Sequence, residues 1–438
     1  MILQSWAERL LHAPWSPDVI DLHVRDTLAA FLAGGATGDG QALSALCGAR
    51  ADRTELAAAA SAIARLSECD DIHLPSCVTP GSVVIPVALA FTGKNNEDDF
   101  NRAVAAGYAS GIRLGLGIGG AKALAGGVWP TLLAAPLMAA VTASCLSGHD
   151  SGQLAHAMAL ALSGTNGRLG RPTGAPSGRW FLLAQAVSKG IRASVAAGQG
   201  FRGDLTLPSK SWLAAQAGHD EIDIAALESD TRAASIFDVG YKPFPIARQG
   251  ANAVTAFQRL LSQGLDSRRI ETIQIFVPAM NVALLSRPVA EGDRLSRLSN
   301  MGYQLACSAL VPEMLYDVER RERTDIPLME FAQRVSVISA PDMDAHLPDH
   351  WPARVVVNAG QHRLEETVID ASFDHDAPGL AEKLNDKWRR LLSKDAADFF
   401  DDAAQRKGSE RRAVLWQMIE RHVSMAAQSK REPKPAQG

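Results

Sequence analysis

Apolar positions in the first half of the chain recur at helical spacing, and the texture changes after Tyr241. Pro17–Leu32 carries an apolar face with Asp18 in its first turn, which predicts a helix. Glu55–Leu66 is alanine-rich and helical. Val83–Phe91, directly after a Pro-Gly turn, reads as the opening of a buried helix, and Phe100–Leu116 and Thr131–Leu146 follow the same pattern. Gly148–Ser163 begins with Asp150 and Ser151 as cap candidates, and Phe181–Gln199 ends near Gly200. Small or apolar residues on all faces mark helices of an interior.

Past Tyr241 the period shortens. Arg269–Val277, RIETIQIFV, alternates as a half-buried strand does. Val335–Ser339 and Ala353–Val357 are two further strand candidates, and Glu366–Ala371 is a weaker one. Helices are predicted between them at Gln249–Gln263, Arg297–Leu310 and Leu328–Arg334, then at Leu380–Leu392 and Arg411–Ala427. Strands mixed with helices in one block predict a separate α+β domain. The expected division is a helical domain over 1–239, an α+β domain over 240–375, a helical return to the first domain over 376–428, and a disordered tail over 429–438.

Composition narrows the function classes. The 438 residues exceed one small core, and 47% hydrophobic with 21% charged residues is an ordinary globular balance. A net charge of −4 gives no global attraction to nucleic acid or to an anionic membrane. The five cysteines, Cys47, Cys69, Cys77, Cys145 and Cys307, form neither a CxxC pair nor a disulfide framework. The N-terminus lacks the basic start and cleavage site of a signal peptide, and no run reaches the ~20 apolar residues of a membrane span. A cytoplasmic protein is expected.

Three clusters can carry chemistry. Glu68, Asp70 and Asp71 lie within four residues, followed by His73, Thr79 and a Pro-Gly turn. Confined carboxylates raise each other's pKa, and one can then act as acid or base near neutrality; a solvated helix end has the same composition. The loop Gly164–Gly178 is rich in glycine but lacks the spacing of a phosphate loop and follows no strand. It brings Arg168, Arg171 and Arg179, whose forks bind carboxylates; an ordinary basic loop has them too. Tyr241-Lys242-Pro243-Phe244-Pro245, then Arg248, is a stiff segment carrying two cations, or else a linker with solvated charges. The eleven histidines show no metal-binding spacing, and no metal is expected.

Taken in order, these segments resemble the MmgE/PrpD family, which includes 2-methylcitrate dehydratase, cis-aconitate decarboxylase and iminodisuccinate epimerase. The landmarks are RDTLAAFLAG at Arg25, CDDIHLP at Cys69, VVIPVALA at Val83, GYASGIRLGLGIG at Gly107, GGVWPTLLAAPLMAA at Gly126 and QLAHAMALALSGTNG at Gln153. GFRGD at Gly200, YKPFP at Tyr241, RIETIQI at Arg269 and HDAPGLAEKLNDKW at His375 complete the series. The resemblance implies a mainly α protein: a large helical domain made from both chain ends and a smaller α+β lid. It also implies a homodimer and a cofactor-free site between the domains. Asp70 and Asp71 match the family's acidic pair, and Lys242 matches the lysine of its KPYP-like segment. Arg179 stands where lysine is usual. The family's HP dipeptides read Leu74-Pro75 and Thr79-Pro80, and its GFHPT reads GVWPT, with Trp129 in place of histidine.

The resemblance therefore implies a lyase or isomerase acting on a small carboxylate by proton abstraction and reprotonation, with an altered, more apolar pocket. Asp70, Asp71 and Lys242 are the expected catalytic residues. His73, Thr79, Trp129, Arg179, Tyr241 and Arg248 are the expected substrate contacts. Standard 2-methylcitrate dehydratase or cis-aconitate decarboxylase activity is one alternative. A non-catalytic binding or scaffold protein that kept the fold is another.

Overall fold

A computed structural model describes residues 2–47, 51–169, 177–228, 234–290, 292–320, 326–370 and 379–429. The fold is mainly helical, with 21 α-helices and one four-stranded sheet among the described residues. These residues fall into two compact units. The first lies within Met1–Gly170, Ser177–Gly240 and Leu392–Gly438, and the second within Tyr241–Leu391. Arg171, His375 and the tail beyond Ser429 lie outside the described residues.

The first unit is built on two helices with no polar face. Gly81–Phe91 and Pro130–Leu146 are buried almost throughout, because small and apolar residues cover every side. Pro130–Leu146 packs on Glu97–Gly117 and on Gly178–Gly198, which in turn packs on Arg53–Leu66. Gly190 makes one of these contacts close: a Cβ there would lie 2.1 Å from the Pro136 carbonyl oxygen, so only glycine lets the backbones approach. The cap read at Asp150 is present as a reciprocal box with Gln153, and Asp52 forms the same box with Glu55. Ile2–Leu10 and Lys394–Gln405 are additional helices.

The second unit holds the sheet: β1 (Ile270–Val277), β2 (Val335–Ser339), β3 (Ala353–Ala359) and β4 (His362–Val368), in the order β2-β1-β3-β4. β1 pairs with β2 in parallel and with β3 antiparallel, and β3 pairs with β4 antiparallel. Ile273, Ile275 and Val277 of β1 join Val355 and Val357 of β3 in a core shared with Phe257, Leu260 and Leu305. Helix Arg248–Ser262 packs on β3 and β4.

Two predicted elements are corrected. The fourth strand starts at His362, ahead of the expected Glu366, and follows a two-residue turn in which Gly360 has φ 61°. Its burial is low, so HRLEETV lacks the apolar alternation that announces a strand. The single helix expected over Arg297–Leu310 is two, Arg294–Ser299 and Met301–Leu310. Asn300 is extended between them, and its Oδ1 accepts the Tyr303 N–H at 2.7 Å. No helix among the described residues is long and apolar enough to cross a membrane.

Candidate active site

Helix Arg53–Leu66 ends at Ser67, whose hydroxyl donates to Ala64 O and accepts from the Cys69 N–H. Glu68 then takes φ 55°, a left-handed conformation uncommon outside glycine. That reversal turns the acidic segment back onto its own helix. Arg65 Nη1 lies 2.8 Å from Glu68 Oε2 and 3.3 Å from Asp70 Oδ1, and all three side chains are buried. Burial alone would lower the Arg65 pKa, but the charges of Asp70 and Glu68 outweigh it and hold the value above the ordinary arginine range. An ion pair of this kind is costly to break, because either partner alone is a buried charge.

The adjacent carboxylate points elsewhere. Asp71 Oδ2 accepts from the Tyr108 hydroxyl at 2.7 Å, and Oδ1 accepts from the Gly81 N–H at 2.9 Å. His23 Nδ1 lies 2.8 Å from Oδ2, an ion-pair distance when the imidazole is protonated. His23 and Tyr108 meet edge to face with ring centroids 5.1 Å apart. The helices Pro17–Gly35, Gly81–Phe91 and Glu97–Gly117 thus converge on one buried carboxylate.

The segment beyond is pinned by its backbone. Ile72 pairs with Gly240, and His73 pairs with Val78 around a turn in which Cys77 has φ 55°. The Ser76 N–H donates to His73 Nδ1 at 3.3 Å, which in the neutral ring leaves the proton on Nε2. Thr79 N–H donates to Thr131 Oγ1 at 3.1 Å, and the two hydroxyls are 3.2 Å apart.

Trp129 stands at the N-cap of helix Pro130–Leu146, with its backbone N–H donating to Gly167 O at 2.8 Å. Two guanidinium groups face its ring, Arg179 at 4.3 Å and Arg65 at 5.4 Å from the centroid. Arg179 also stands 4.9 Å from the Trp180 ring, and the two indoles meet at 6.0 Å. Arg65 therefore joins Asp70 to the Trp129–Arg179 group. Arginine over an indole face is held there by cation–π attraction.

In the second unit Tyr241 and Lys242 are buried. Arg320, also buried, donates to the carbonyls of Pro245, Leu315 and Met314, so the YKPFP segment is tied by a guanidinium. Arg248 Nη2 donates to Asp370 Oδ1 at 3.1 Å and Nη1 to Asn252 Oδ1 at 3.4 Å. Asp370 also meets His350 Nδ1 at 3.0 Å. Arg248 thus has a carboxylate partner inside its own unit.

The sequence reading singled out Asp70, Asp71, Trp129 and Arg179 but missed Arg65, His23, Tyr108, Thr131 and Trp180. A charged Arg65 closing an alanine-rich helix was the one local signal. His23 and Tyr108 announce nothing locally, since each sits among apolar residues of its own helix.

On a mainly helical scaffold the first unit brings together buried carboxylates, an arginine and an imidazole. Comparison with family models bears on the class of protein this is. The MmgE/PrpD N-terminal domain matches residues 23–223 and the MmgE/PrpD C-terminal domain matches residues 244–413. The chain belongs to the MmgE/PrpD family. Membership suggests dehydratase- or decarboxylase-type activity, and members are typically lyases or isomerases. A search of curated proteins finds no match.

Proposed function

We propose that the protein is a lyase or isomerase that removes a proton from the carbon beside a carboxylate of a small organic acid. The observation that carries this reading is the pairing of Asp70 with Arg65, beneath a Trp129 ring that also holds Arg179. Asp70 is the first candidate to take the proton, and Lys242 is a second proton-transfer candidate on its family resemblance. Arg179 binds the substrate carboxylate in its fork, and its fixed charge stabilises the enediolate that forms on deprotonation. Guanidinium stays protonated at any working pH, so Arg179 is a clamp and not a base. Trp129 stands where the family has histidine and offers an indole donor that transfers no proton at neutral pH, which favours a substrate other than the standard family ones.

The test is solvent-deuterium exchange. Small di- and tricarboxylates, including 2-methylcitrate and cis-aconitate, are incubated with the protein in D2O and followed by NMR. Exchange into the substrate detects a carbanion formed by proton loss, as in elimination or epimerisation, and deuterium in the product detects one formed by loss of carbon dioxide. The expected result is exchange with at least one acid, lowered by about 10²–10⁴-fold in Asp70→Asn, the usual worth of an acid–base group. Absence of exchange and turnover across the set sinks the enzyme reading. Fast turnover of 2-methylcitrate or cis-aconitate sinks the altered-substrate part of it.

A further inference from the structure

A cavity of ≈ 320 Å³ opens in the first unit among helices Pro17–Gly35, Gly81–Phe91, Glu97–Gly117 and Gly408–Ser429. None of Asp70, Asp71, Trp129 or Arg179 lines it. Its walls carry two sets of opposite charge over an apolar floor.

The positive set centres on Arg412, which is only 5% exposed. Its Nε donates to Thr92 Oγ1 at 3.0 Å and its Nη2 to Asn95 O at 2.7 Å, both neutral acceptors. The guanidinium lies 5.3 Å from the Phe100 ring centroid. Burial pushes the Arg412 pKa down, and the Glu97 charge opposes this without pairing with it. Nη1 has no acceptor among the described residues and keeps contact with solvent, so it can take a ligand oxygen from the open side. Lys407 lines the same cavity, exposed and with no side-chain partner among the described residues. The first-turn N–H groups of the 22-residue helix beginning at Gly408 add positive potential there.

Three further charged residues line the cavity and are already paired, Asp21 with Arg411 and Arg406 with Asp402 and Glu410; the negative set left over is Asp18 and Glu97, exposed in the first turns of their helices. Neither accepts a hydrogen bond from a described residue. Leu89, Phe100 and Leu415 line the apolar floor. A monoanion would satisfy only the first set and a monocation only the second. A ligand with both charges a few bonds apart satisfies both, and the volume lies within the range of small-molecule sites.

We infer that this cavity binds an α-amino acid with an aliphatic side chain. Its carboxylate meets Arg412 and Lys407, its ammonium meets Glu97 and Asp18, and its side chain rests on Leu89, Phe100 and Leu415. The site is separate from the proposed catalytic residues, so its test reads binding and not turnover.

Alanine, valine, leucine and isoleucine are titrated into the full-length protein by calorimetry, with saturation-transfer NMR in parallel. Saturable binding is expected for at least one, and 4-methylpentanoate and isopentylamine, which each keep one of leucine's charges, bind at least about tenfold more weakly than leucine. Glu97→Gln and Lys407→Ala alter exposed side chains and leave the fold intact; each weakens binding by about tenfold, the scale of one charge-assisted contact. Arg412→Gln abolishes binding. The inference is overturned if none of the four amino acids saturates, if either single-charge analogue binds as tightly as leucine, or if Glu97→Gln and Lys407→Ala bind as the parent does.

Discussion

Alanine at Gly81 places one methyl group inside the Asp71 cluster. Its Cβ would lie 2.6 Å from Asp71 Oδ2, 2.7 Å from Thr27 Oγ1 and 2.7 Å from the Tyr108 hydroxyl. All three distances are shorter than carbon and oxygen tolerate, and all three atoms belong to buried side chains. Gly81 does not occupy the left-handed region, so the substitution carries no backbone strain, and alanine is the better helix former by up to about 1 kcal/mol. Overpacking of a tight interior costs roughly 1–3 kcal/mol. Pushing Tyr108 off the Asp71 carboxylate adds about 1.5–3 kcal/mol, the worth of a hydrogen bond to a charged group. The net expectation is a loss of about 3 kcal/mol. Urea unfolding followed by tryptophan emission measures it, because Trp6, Trp15, Trp129, Trp180, Trp212 and Trp416 all belong to the first unit. Tyr108→Phe removes one of the three clashing atoms, so Gly81→Ala with Tyr108→Phe should fall short of the summed losses by at least about 1 kcal/mol. A Gly81→Ala protein within about 0.5 kcal/mol of the parent, or strict additivity in the double variant, would refute the packing account.

Other substitutions probe other parts of the first unit. Arg65→Met leaves Glu68 and Asp70 as buried charges and should cost about 3–5 kcal/mol in chemical denaturation; adding Glu68→Gln and Asp70→Asn should recover much of it, and no recovery would mean that Arg65 acts by packing alone. Burial pulls the His422 pKa below its ordinary 6.5, so the unfolded chain binds the proton more readily than the folded one. The stability held above pH 6.5 is then lost as pH falls below that value, and His422→Gln should flatten the decline between pH 7 and 5; an unchanged slope would contradict it. Burial raises the Cys47 thiol to about 11 and those of Cys77 and Cys145 to about 12. At pH 8 iodoacetamide should label them at least about 100-fold more slowly in the native protein than in urea, read by mass spectrometry; fast native labelling of Cys47 would count against its buried setting.

The helices of the first unit were legible because their signal is local. Alanine and apolar runs covering every face mark Gly81–Phe91 and Pro130–Leu146 as interior, and Asp150 marks a start. β1 was legible from its alternation, whereas β4 was not, because an edge strand with a largely exposed sequence carries no alternation to read. The break at Asn300 escaped for the opposite reason, since apolar spacing runs through it while the cap interrupts the backbone. The acidic segment was visible as three carboxylates in four residues. Its partners were not, because Arg65 is reached by a left-handed turn at Glu68, and His23 and Tyr108 arrive on helices 48 residues before Asp71 and 37 after it. Contacts made by packing between distant helices leave no mark on the local pattern of one sequence.

Asp70 and Asp71 look interchangeable in the sequence, and the fold makes them unlike. Asp70 lies in a bend just after the left-handed Glu68, and Asp71 directly precedes the bridge of Ile72 with Gly240, so the chain changes direction between the two carboxylates. Asp71 is thereby turned to the Tyr108 hydroxyl, the Gly81 N–H and His23, which together hold three helices to one carboxylate. Asp70 is turned to Arg65, which keeps Glu68 as a second partner at 2.8 Å. Neutralising Asp70 therefore leaves Arg65 paired, whereas neutralising Asp71 gives the Gly81 N–H and the Tyr108 hydroxyl an amide that cannot accept from both sides. On the proposed reading, Asp71→Asn acts first on stability and Asp70→Asn first on proton exchange. If the two variants lose exchange equally while both stay folded, the division of roles between the adjacent carboxylates is wrong, and Asp71 belongs to the chemistry as well as to the scaffold.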